Sequence, residues 1–122
     1  MEKQNYFQPE IECASREQIT KWQTEGLIRT VKHAYENSAY YRKKMDDHGV
    51  KPEDIKSLAD ITKLPFICKD DLREAYPYGL LCMPLRDCVR IQSTSGTTGR
   101  RVIAFYTQHD IDLWDATCAR AI

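Results

Sequence analysis

No run in this 122-residue sequence approaches the ~20 consecutive apolar residues that cross a bilayer. A membrane-spanning helix is therefore not expected. The N-terminal stretch MEKQNYFQPEIEC is polar and acidic, without the basic start and apolar middle of a signal peptide or the arginine-rich character of a transit peptide. The chain is expected in the cytoplasm. Neither sign of charge is in excess, with Lys+Arg and Asp+Glu both at 18, which argues against a nucleic-acid binder. The five cysteines (Cys13, Cys68, Cys82, Cys88, Cys118) are odd in number and form no C-x-x-C pair. That pattern excludes neither thiol chemistry nor packing, but it speaks against a disulfide framework and a structural zinc site. They read as core or semi-exposed small residues. His33, His48 and His109 are isolated from one another and from any cysteine, so no metal site is expected.

What remains is an ordinary soluble composition, 42% apolar and 30% charged, in a chain long enough for one domain and a modest core. Residues 1–14 read as irregular, with Pro9 as a breaker. Ser15 and Gln18 form an S-x-x-Q capping pattern, which predicts a helix over 16–37. Its apolar positions Ile19, Trp22, Leu27, Ile28, Val31, Ala34 and Tyr35 follow a period near 3.6. Trp22, Ile28, Val31 and Tyr35 are read as core or interface. Gly26, inside this helix, is either a close-packing point or a weak spot.

A second helix is expected from Tyr40 to about His48, closed by Gly49. Pro52 and then the Ser57/Asp60 pair open short helical turns, and Pro65 ends the second of them. KDDLREAY (69–76) is a further helix, stopped by Pro77. The runs KKMDD (43–47) and KDDLRE (69–74) read as solvated faces with local charge pairs. Tyr40 and Tyr41 read as packing residues, and Tyr76–Gly79 as a turn with aromatic anchors. The period then changes. CVRIQ (88–92) alternates like a half-buried strand, and VIAFY (102–106) is β-branched and aromatic. Thr107 and Asp110 cap a last helix, with Ile111, Trp114, Cys118 and Ile122 on one stripe. The chain stops within that helix, which predicts the front piece of a larger protein. The fold class expected is α+β: a mainly helical region over 1–80, then strand–loop–strand–helix over 81–122.

Between the two strands lies STSGTTGRR, residues 93–101. Seven consecutive hydroxyl or glycine residues have almost no side chain to bury. Gly96 and Gly99 permit positive φ and close backbone approach. Consecutive N–H groups in such turns form anion nests, the hydroxyls add donors, and arginine forks match phosphate oxygens. On composition alone, an ordinary solvent-facing loop fits as well as a phosphate cradle. It is not a Walker P-loop: Gly96 and Gly99 are too close, and the loop joins strand to strand rather than strand to helix.

The loop and its flanks resemble a known family. STSGTTGRR between VRIQ and VIAFYT is similar to the phosphate loop of adenylate-forming enzymes, the acyl-CoA synthetase superfamily. That loop has three hydroxyl residues, then G-[ST]-T-G, then usually lysine and proline. Upstream, YYRKKMDDHGVKPEDIKSLADITKLPFICKDDLREAYPYGLL is similar to the segments that precede the loop in phenylacetate–CoA ligases. The resemblance runs from about Trp22 to Ile122. It implies the front piece of the large N-terminal domain of such an enzyme, active in phenylacetate catabolism. The implied chemistry joins a carboxylate to ATP, giving an acyl-adenylate, and then to CoA. The implied phosphate ligands are Ser93, Thr94, Ser95, Gly96, Thr97, Thr98, Gly99 and Arg100, with Mg²⁺ accompanying ATP. The family's catalytic residues are expected downstream of Ile122, so this chain by itself is expected to be inactive. The family's ligases often pair, which makes the N-terminal helices a candidate homodimer surface. Arg100 and Arg101 depart from the family's lysine and proline. A non-catalytic phosphate-binding or dimerisation module, or an adenylating enzyme with another acceptor, fits the loop as well.

Overall fold

The computed structural model describes residues 6–96, 99 and 101–121. Its order is α1 (Pro9–Glu12), α2 (Arg16–Asn37), α3 (Ala39–Asp47), 3₁₀ turns at Pro52–Asp54 and Leu58–Lys63, α4 (Lys69–Glu74), a 3₁₀ turn at Leu85–Asp87, β1 (Cys88–Ser93), β2 (Ile103–Thr107) and α5 (Gln108–Ala121). This is a mixed helical and two-stranded antiparallel architecture, as the sequence pattern predicts. No helix among the described residues is long and apolar enough to cross a membrane.

The helix boundaries follow local chemistry. Ser15 Oγ accepts the Gln18 N–H at 3.1 Å and starts α2 where the capping pattern places it. One residue, Ser38, separates α2 from α3. Its N–H closes α2 on Ala34 O at 3.0 Å, its hydroxyl oxygen accepts the Tyr41 N–H at 3.1 Å, and its hydroxyl donates to Gly79 O at 2.8 Å. At 1% exposure, Ser38 is a buried polar group whose hydrogen-bonding capacity is used. It ties the α2–α3 corner to the turn that follows α4.

Helix α3 ends in a Schellman motif. Gly49, at φ 71°, donates to Asp46 O, and Val50 donates to Met45 O, both at 3.0 Å. The chain reversal brings Val50 back onto Met45. Together with Val31 and Ile55 they form the buried cluster, flanked by Leu27, Tyr35, Tyr41 and Leu64. An L side chain at 49 has to adopt the left-handed conformation. Gly49→Ala is therefore expected to destabilise the chain by about 1–2 kcal/mol, read as a lower urea midpoint at unchanged slope.

A polar network fastens α4 to α3. Lys44 pairs with Asp71, Tyr40 donates to Asp71 at 2.8 Å and to Glu74 at 3.2 Å, and the Cys68 N–H donates to Asp71 at 2.6 Å. Asp71 is only 14% exposed. The Lys44 ammonium, then the Cys68 N–H and the Tyr40 hydroxyl, pull its carboxyl down to about 2. Burial, and then the Asp71 and Glu74 carboxylates, push the Tyr40 hydroxyl up. With Asp71 lower in the folded chain than the ~3.9 of a free carboxyl, its contribution is complete above pH ~4 and lost as pH falls through about 2. Asp71→Asn is expected to lower the melting temperature at pH 7. The gap from the parent chain should shrink as pH falls from ~4 towards 2, which melts at a series of pH values will read.

Strands β1 and β2 pair antiparallel, with Arg90 opposite Tyr106, Ile91 opposite Phe105, Gln92 opposite Ala104 and Ser93 opposite Ile103. A register shift between Cys88 and Arg90 leaves Val89 as a bulge. The hairpin is held from two sides by ring contacts, Tyr78 on Phe105 and Trp114 on Tyr106, both at 5.8 Å between centroids. Thr107 and Asp110 cap α5 reciprocally: Asp110 accepts the Thr107 N–H at 2.8 Å, and Thr107 Oγ1 accepts the Asp110 N–H at 3.3 Å.

Several expectations are corrected. Pro9 starts a helix rather than breaking one, because its missing N–H costs nothing in a first turn. Of the four residues of α2 read as core or interface, Val31, and Tyr35 in part, join the core, while Trp22 and Ile28 are exposed, as is Trp114 on α5. Strand β1 is exposed on both faces from Val89 onward, not half-buried. A Cβ at Gly26 would meet nothing within 4 Å, so Gly26 is a weak spot and not a packing point. Cys13, Cys68 and Cys118 are exposed, while Cys82 and Cys88 are semi-exposed. KKMDD and KDDLRE do hold the local pairs Lys43–Asp47 and Asp70–Arg73, but Lys44 and Asp71 reach across from one run to the other.

Candidate phosphate-binding loop

The hairpin carries its loop on a rigid base. Beyond the last strand pair, the Thr94 N–H donates to Val102 O at 3.0 Å, and the Val102 N–H donates to Thr94 Oγ1 at 3.1 Å. Thr94 thus extends the ladder with its own side chain, and its hydroxyl proton stays available to a ligand. From this clamp the chain turns at Gly96, φ 71°, and Gly99, φ 130°. The Gly99 N–H donates to Gly96 O at 3.3 Å, closing the turn. Both glycines stand in conformations that L residues rarely adopt, as the sequence reading expects of them.

Ser93 and Ser95 are exposed, and their hydroxyls have no partner among the described residues. Beside them the strand face formed by Gln92, Ala104 and Tyr106 continues into Ser93, Thr94 and Val102 and bounds an open hollow of about 420 Å³. The loop residues Ser93, Thr94, Ser95, Gly96 and Gly99 are therefore brought together at one end of the hairpin. Thr97, Thr98 and Arg100 lie outside the described residues.

Arg101, whose charge the sequence places at the lip of the loop, is not among the phosphate ligands that the resemblance implies. A Cβ on Gly96 would stand 2.8 Å from Arg101 Cγ and 3.5 Å from its Nε. The arginine stem lies across the bare face of Gly96. The signal was present in the sequence as an arginine where the family pattern has proline. What could not be read there is the direction of its side chain.

The loop's chemistry is that of an anion site: hydroxyl donors, a tight glycine turn and a guanidinium beside it. Among the described residues no group of three or more His, Cys, Asp or Glu side chains could hold a metal ion. His33 instead meets Asn37 at 3.2 Å on the surface of α2.

No protein-family model matches the sequence. Among characterised relatives, the phenylacetate-coenzyme A ligase of Aromatoleum evansii is 46% identical over 112 residues, covering 92% of this chain and 26% of that protein. The ligase of the same name from Escherichia coli (strain K12) is 45% identical over the same shares, and that of Thermus thermophilus is 37% identical over 95% of this chain. Among solved structures, 2-hydroxyisobutyryl-CoA ligase in complex with 2-HIB-AMP and CoA superposes with a TM-score of 0.84 at 30% identity, over 94% of this chain and 25% of that one. The chain spans about a quarter of the length of the relatives it matches. With 37–46% identity across nearly all its residues, the chain is homologous to phenylacetate–coenzyme A ligases.

Proposed function

We propose that this chain is the front piece of the large N-terminal domain of an AMP-forming aryl-acetate–CoA ligase, and that it supplies the half of the ATP site that holds pyrophosphate. Residues 1–80 form its helical part, and 81–122 its loop-bearing hairpin and helix. The observation that carries the reading is the loop itself. It has a ladder clamp at Thr94, two glycines at positive φ and the exposed Ser93 and Ser95, in a chain homologous to phenylacetate–CoA ligases.

In the whole protein, a carboxylate would attack the α-phosphorus of ATP and release pyrophosphate. The CoA thiol would then attack the acyl carbon and release AMP. Ser93, Thr94, Ser95, Gly96, Thr97, Thr98, Gly99 and Arg100 hold the β and γ phosphates, so the leaving group is fixed before its bond breaks. Their contribution is positioning and charge stabilisation. The turn closed between Gly96 and Gly99 sets the backbone curvature, and Thr94 anchors it to the strands. Mg²⁺ bound with ATP supplies neutralisation of phosphate charge.

The acyl pocket and the groups that act on the α-phosphate belong to the rest of the protein, so the 122 residues alone turn over neither step. The protein works in the cytoplasm. It pairs through its N-terminal helices, where Trp22 and Ile28 stand exposed on α2. The complete protein, given ATP, CoA and phenylacetate, is expected to produce phenylacetyl-CoA, AMP and pyrophosphate in equal amounts. Formation of ADP and phosphate would reject the AMP-forming reading.

A further inference from the structure

We infer that Arg101 is the cationic brace of the phosphate loop, a positioning and anion-contacting residue particular to this chain. The inference deepens the proposed function and rests on it. Three observations carry it. First, the Arg101 stem crosses Gly96, with Cγ 2.8 Å and Nε 3.5 Å from where a Cβ would stand, so the glycine is the opening through which the side chain reaches the loop. Second, the guanidinium has no ion-pair or hydrogen-bond partner among the described residues, although the chain contains as many acidic as basic residues. Third, the adjoining Val102 is locked to Thr94 by two hydrogen bonds, so the Arg101 backbone starts from a fixed point.

A side chain so placed lies against Gly96, at the turn that the Gly99 N–H closes, and a di- or triphosphate in that turn would be within its reach. Proline, which the family pattern has at this place, has no donor and no charge to offer. Arginine offers a planar fork of N–H donors that matches phosphate oxygens two at a time. The ligand class is therefore the polyphosphate of ATP or free pyrophosphate. The charge acts in the bound ground state as well as during bond breaking, so its loss raises KM for ATP more than it lowers kcat.

The test uses the complete protein and reads phenylacetate-dependent exchange of labelled pyrophosphate into ATP. Three variants are compared: Arg101→Met, which keeps the stem across Gly96 without charge; Arg101→Lys, which keeps the charge; and Arg101→Pro. Melting temperatures report that each one folds. Arg101→Met and Arg101→Pro are expected to raise KM for ATP about tenfold to a hundredfold, with kcat changed much less. Arg101→Lys should recover part of that loss. The dependence of KM on added salt should be steeper in the parent protein than in Arg101→Met. Unchanged KM in Arg101→Met would overturn the inference, leaving Arg101 as packing only. A parent protein with no exchange would instead overturn the proposed function, and the two failures are told apart by the parent protein alone.

Discussion

Gly96→Val in the complete protein is expected to reduce kcat/KM for ATP roughly a hundredfold, the scale associated with displacing reacting groups by about 1 Å. Gly96 sits at φ 71°, where a β-branched residue is a genuine outlier. Its new Cβ would stand 2.8 Å from Arg101 Cγ and 3.3 Å from Gly99 O. The first contact expels the arginine from the loop, and the second pushes open the turn that the Gly99 N–H closes. Both act on the proposed phosphate loop and neither touches the α2–α3 core. The melting transition should therefore move little while ATP use collapses. Single-turnover measurements at saturating and limiting ATP will separate loss of binding from loss of chemistry.

Met45→Ala is expected to cost about 2–5 kcal/mol. Met45 is fully buried, and it touches the chain from both sides of the Schellman turn. Its cluster is small: Val31, Val50 and Ile55 are the other buried members. With so few neighbours there is little to collapse into the cavity. Domains of this size are stable by only ~5–15 kcal/mol, so the loss is a large fraction of the whole. In the 122-residue chain, Met45→Ala should broaden or abolish the cooperative urea transition. Met45→Leu, close in volume, should cost less than ~1.5 kcal/mol.

The parts of this fold that were legible in the sequence are those determined within a few residues. Ser15, Ser57, Thr107 and Gly49 each hydrogen-bond to a residue three positions away, and each ends or begins an element where its pattern places it. The positive φ of Gly96 and Gly99 belongs to the same class, since only glycine suits a turn that tight. What was not legible depends on distant chain. The pairing of Lys44 with Asp71 spans 27 positions, and nothing near either residue announces it. An apolar stripe shows that a helix has something to bury, not which members of it find cover within this chain. Trp22, read as core or interface, is 42% exposed, and Ile91, on a strand read as half-buried, is 58% exposed. The loop at 93–101 stood out by its composition and flanks. The path of the Arg101 side chain across Gly96 did not, because a side chain's direction is set by the backbone it must clear.

The central claim is that this loop serves carboxylate activation by adenylation. It is tested most directly by exchange of labelled pyrophosphate into ATP, catalysed by the complete protein in the absence of CoA. Exchange that requires phenylacetate or a close aryl acid, and that falls about a hundredfold in Gly96→Val, is the result this account predicts. A folded, complete protein that shows no exchange with any aryl acid would contradict it.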